Sequence, residues 1–102
     1  LSRAIADFGK TVEIRPKFAA GYVERGLIHT NMDQHDEAVA DFTKTLEIAP
    51  ARADIYLRRS LVCCAAGKYD QAWKDVHKIE SLGLKVPAGY LAYLRAASER
   101  QK

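Results

Sequence analysis

The sequence predicts an all-α fold, a solenoid of antiparallel helix pairs closed by one further helix at its C-terminal end. Three observations predict it. Ala4-Ile5-Ala6-Asp7-Phe8 returns as Ala38-Val39-Ala40-Asp41-Phe42, and Glu13-Ile14-Arg15-Pro16 as Glu47-Ile48-Ala49-Pro50, both at an offset of 34 residues. A fixed period of that size marks a stack of supersecondary units. Apolar residues recur at three and four along successive stretches, the spacing of a helical face. β-Branched residues never cluster with period two, so no strand is expected.

The first helix is predicted over residues 1–14, with Leu1, Ala4, Ile5, Phe8 and Val12 on one face and Pro16 closing it, because the residue before a proline is pushed out of the α region. Residues 19–31 follow, with Tyr22, Val23, Gly26, Leu27 and Thr30 in register and a turn at Asn31-Met32-Asp33-Gln34. A helix over 35–48 carries Ala38, Val39, Phe42, Thr45 and Leu46 and ends at Pro50. The cycle repeats over 53–65 on Tyr56, Leu57, Ser60, Leu61 and Cys64, broken at Gly67-Lys68, and over 69–82 on Tyr69, Ala72, Trp73, Val76 and Ile79. Leu82-Gly83-Leu84 reads as a glycine stop whose leucines supply the cap's apolar contact. Pro87 then opens a last helix, 87–100, on Tyr90, Leu91, Tyr93 and Leu94.

Composition narrows the function classes. Hydrophobic residues make up 48% and charged residues 28% of the chain, enough apolar content to fold. The 16 basic residues are interleaved with 13 acidic ones, and no basic run points to nucleic acid. No apolar stretch approaches the ~20 residues of a membrane span, and no signal-peptide pattern appears. Cys63 and Cys64 are adjacent, a spacing that would strain a bridge. Free thiols in a reducing, cytoplasmic setting are expected.

With Ala19 as the first position of a unit, Tyr22, Gly26, His29, Ala38, Phe42, Thr45 and Pro50 fall where a well-known helical repeat keeps its signature residues. Tyr56, Ser60, Cys63, Ala72, Val76 and Ile79 follow one period later, with Leu84 where proline is missing. The pattern resembles the tetratricopeptide repeat family. The resemblance implies a right-handed superhelical solenoid forming one domain over 1–102. Residues 1–18 would be the second half of a repeat, 19–52 a full repeat, 53–86 a full repeat degenerate at its end, and 87–102 a capping helix. Gly26, Ser60, Ala38 and Ala72 would sit where paired helices cross, and Leu94 would bar a further close helix.

The same resemblance implies a non-enzymatic scaffold binding a peptide or helical segment of a partner protein in a concave groove. Carried over residue by residue, the groove comprises Val23, Leu27, Asn31, Asp54, Leu57, Arg58, Leu61, Leu91 and Arg95, with Leu57 and Leu61 as central contacts. Ala20, Thr30, Cys64, Ala65 and Ala88 extend it. Some relatives clamp C-terminal carboxylates with lysine, asparagine and arginine; Val23 and Leu27 stand where that clamp's lysine and first asparagine would be, so this specificity is not expected.

No residue set signals catalysis, a cofactor or a small-molecule substrate. His29 and His35 fall at packing positions, and His77 is expected on the surface. The three histidines show no metal spacing. Asp36-Glu37 and Asp70 open helices, where carboxylates complement the positive end. Trp73 is expected in the core. An alternative is homo-oligomerisation through Ile5, Phe8 and Val12, since residues 1–14 lack the helix that would cover them. The missing initial Met and the half repeat also suggest an accessory piece of a longer protein.

Overall fold

The computed structural model describes residues 19–99. Five α-helices and no strand occur among them: α1 Ala19–Asn31, α2 His35–Ile48, α3 Ala53–Ala65, α4 Tyr69–Ser81 and α5 Ala88–Glu99. The predicted helix over 1–14, with Ile5, Phe8 and Val12, lies outside the described residues.

The helix ends follow from local chemistry. After α1, Asp33 takes a left-handed backbone (φ 56°) and the Gln34 N–H donates to His29 C=O at 2.8 Å. One period later Gly67 takes φ 78° and the Lys68 N–H donates to Cys63 C=O at 2.7 Å. Both are the six-to-one closure in which a left-handed residue satisfies the last carbonyls of a helix. Gly83 closes α4 in the same way, but its flanking leucines do not behave as expected. Leu82 and Leu84 are 36% and 53% exposed, and Val86 is the buried residue of that loop. Asp36 and Glu37 occupy the first turn of α2 and Asp70 that of α4, favourable beside the partial positive charge of a helix start.

Each of the two helix pairs is antiparallel and packs on the next. Ala38, Phe42, Leu46, Ile55 and Val62 form an N-terminal cluster. Cys63, Cys64, Ala72, Val76, Ile79, Val86, Leu94 and Ala97 form a C-terminal one. Val39 and Tyr56 touch both, so the core runs unbroken along the stack. Ile55, Val62 and Cys63 lie outside the predicted face of α3, yet all are buried. That helix is packed on more than one side by its neighbours.

Small residues set the helix spacing. A Cβ added at Gly26 would lie 2.7 Å from the Phe42 ring, and Phe42 is fully buried. In the second pair Ser60 holds the corresponding place. Its hydroxyl donates to Ala72 C=O at 2.9 Å. Because that uses its only proton, the Tyr90 O–H donates to Ser60 Oγ, 2.7 Å away. This bond, together with Trp73 Nε1–H to Ser98 Oγ at 3.3 Å, fastens α5 to the second pair. Leu94 is fully buried on that contact face.

Candidate functional site

The helix pairs leave a hollow of about 190 Å³ between α1, the start of α2 and α3. Leu27, Phe42, Leu61, Val62 and Ala65 form its apolar wall. Thr30, Asp33, His35 and Arg58 supply its polar edge. Leu61 is 46% exposed, an apolar side chain facing the opening. The Thr30 hydroxyl donates to Gly26 C=O at 2.8 Å, so its proton is already engaged.

A second hollow lies between the start of α3 and the 82–87 loop, lined by Asp54, Leu57, Ile79, Leu84, Lys85 and Pro87 among others. The expected groove residues therefore divide. Leu27, Arg58 and Leu61 meet in the first hollow, whereas Asp54 and Leu57 face the second. Leu57 and Leu61, one turn apart on α3, line different hollows. Asp54 is ion-paired with Arg52 at 2.7 Å, and that guanidinium holds its carboxyl below the usual aspartate range. Val23 packs against the N-terminal cluster and Leu91 against the C-terminal one. Asn31 and Arg95 are exposed and line neither hollow. Cys64 is buried with Leu94 and Ala97, a correction to its groove placement: the C-terminal cluster encloses it.

Behind the hollow each helix pair is locked by a buried ion pair that the sequence reading missed. The Arg25 guanidinium donates to both Asp41 carboxylate oxygens, Nε at 2.9 Å and Nη2 at 2.7 Å. One period on, Arg59 does the same to Asp75, Nε at 3.0 Å and Nη2 at 2.6 Å. Asp41 and Asp75 are both almost fully buried. The two arginines also lie over Tyr22 and Tyr56, each 5.7 Å from the ring centroid, at cation–π distance. The signal was available: Arg25 and Arg59, and Asp41 and Asp75, are 34 residues apart like the rest of the repeat.

Other reactive groups serve the packing. His29 Nδ1 lies 2.6 Å from Gln34 Oε1 and its Nε2 3.6 Å from Asp41. His77 is exposed and stacks on Trp73, which is half-buried against the C-terminal cluster. Cys63 and Cys64 are free, and burial pushes both thiols up, away from the reactive thiolate. Among the described residues no group of three or more His, Cys, Asp or Glu side chains could hold a metal ion. No described helix is long and apolar enough to cross a membrane.

Residues 19–52, the α1–α2 unit with its closing loop, match the sequence profile of the tetratricopeptide repeat. That match covers a third of the chain. The five described helices form an all-α helical repeat, consistent with the fold of that family. The α3–α4 pair reproduces the matched unit's helix pairing, left-handed cap and arginine–aspartate lock one period later. Tetratricopeptide repeats generally mediate protein–protein interaction, and the family is typically a non-enzymatic scaffold. No curated protein matches the chain.

Proposed function

We propose that this chain is a non-enzymatic scaffold that captures a peptide or helical segment of a partner protein in the hollow between α1 and α3. The observation that carries the reading is the conjunction of an open apolar wall with an exposed leucine. Leu27 and Leu61 line the hollow together with Phe42 and Val62, the last two buried. Apolar hollows between rigid helices bind by burying a few anchor side chains. The helices around it are fixed by the buried ion pairs and the continuous core, so little ordering is needed on binding.

The reading is tested by selecting binders from a displayed random-peptide library on wild-type protein and on Leu61→Glu. Leu61 is exposed enough for the variant to fold, which circular dichroism checks. Peptides retained by wild type and lost by the folded variant are the expected result. Equal retention by both, or no binders at all, would overturn groove capture.

A further inference from the structure

We infer that the hollow between α1 and α3 reads charge order: it accepts one large apolar side chain flanked by a carboxylate on the Arg58 side and by a cation on the Asp33 side. This rests on the groove reading above and adds the chemistry of the captured segment.

The first support is size. An apolar cavity of about 150 Å³ takes one benzene, so a hollow of about 190 Å³ has room for one leucine, methionine or phenylalanine side chain. Affinity beyond that anchor must come from the edges.

The second support is which charges are already satisfied. Arg52, Arg58 and Arg59 all lie at or on α3. Arg52 is held by Asp54 and Arg59 by Asp75. Arg58 lines the hollow and makes no hydrogen bond or ion pair among the described residues. At the opposite end Asp36 is held by Lys68 at 2.7 Å, while the Asp33 carboxylate, also lining the hollow, has no such partner among the described residues. His35 lines that same end.

The third support is placement. Arg58 and Ala65 line the hollow from positions two turns apart on α3, about 10 Å at 1.5 Å per residue. Asp33 follows the C-terminal end of α1, on the Ala65 side. The two unpaired charges therefore stand at opposite ends of an apolar floor. An extended segment spans that distance in about three residues at ~3.3 Å each. Asp33 also holds a left-handed backbone where the next repeat has Gly67, so the carboxylate is kept at a position that glycine fills without steric cost.

The test uses soluble peptides with a fixed central leucine and randomised flanks, selected on the full chain and on two variants. Arg58→Glu reverses the exposed cation. Asp33→Gly removes the carboxylate while suiting the turn. Wild type is expected to select an acidic flank on one side and a basic flank on the other. Arg58→Glu should weaken those peptides about tenfold, as expected for turning an attractive pair repulsive, and should select a basic residue in place of the acidic one. Asp33→Gly should relax only the basic preference. Selected peptides without charge order, or unchanged selection by Arg58→Glu, would overturn the charge reading, and groove capture would still stand if Leu61→Glu abolishes binding. Failure of every peptide on wild type would overturn both.

Discussion

Replacing Asp75 with asparagine should remove a large part of the stability of this domain. Asp75 is 1% exposed and accepts from Arg59 Nε and Nη2 and from Gln71 Nε2, the last at 3.0 Å. The substitution keeps the volume and removes the charge. The Arg59 side chain, 14% exposed, then keeps at most one neutral hydrogen bond to the amide oxygen, its bond to Thr43 Oγ1 at 3.1 Å and the face of Tyr56, and its charge has no counter-ion there. Stranding one member of a buried pair costs about 3–5 kcal/mol, and the residual Thr43 bond places this case near the low end, about 3 kcal/mol. Total stability for a chain of this length is about 5–15 kcal/mol. Urea unfolding followed by circular dichroism, with a slope of about 1–3 kcal/mol per M, should show the midpoint falling by about 1–3 M. The double variant Arg59→Met/Asp75→Leu supplies the control. With both charges gone the desolvation cost vanishes with the attraction, so its midpoint should return close to wild type or above it. An Asp75→Asn midpoint within the error of wild type, or a double variant as unstable as the sum of its singles, would refute the argument that the pair is a coupled buried unit.

Two further outcomes follow from the packing. Gly26→Ala sets a helix-propensity gain of about 1 kcal/mol against overpacking of about 1–3 kcal/mol; because the clashing Phe42 ring is fully buried, the melting temperature should fall, and a rise would show that the ring can yield. Burial pushes the Tyr90 phenol up to about 12 from an ordinary 10. A raised folded value stabilises the protein fully below pH 10 and is lost as pH climbs towards 12, so wild type should lose stability over that window and Tyr90→Phe should lose less; identical alkaline profiles would refute the assignment.

Among the described residues helix number and helix ends are legible in the sequence because they depend on neighbours along the chain. The predicted spans 19–31, 35–48 and 53–65 coincide with α1, α2 and α3, and the last two helices differ only at their ends. Prolines, glycines and three/four spacing act within one or two turns, so a local reading captures them. The candidate site is legible in part. Leu27, Arg58 and Leu61 do share a hollow, but Leu57, four residues from Leu61 on the same helix, faces another. One is opposite α1 and the other opposite the 82–87 loop, and helical spacing carries no information about what lies across.

The sequence by itself determined the period, the helices among the described residues and the small residues Gly26, Ser60 and Ala72 at the helix contacts. Tertiary structure alone decided the fates of Arg58 and Arg59. Adjacent on α3, they point about 100° apart around the helix axis. That rotation carries Arg59 into the joint with α4, where Asp75 waits 16 residues away in sequence, and leaves Arg58 at the rim of the hollow. The same residue type becomes a structural lock or an exposed charge at a hollow according to what the neighbouring helix presents to it. That choice is a property of the packed pair rather than of either helix.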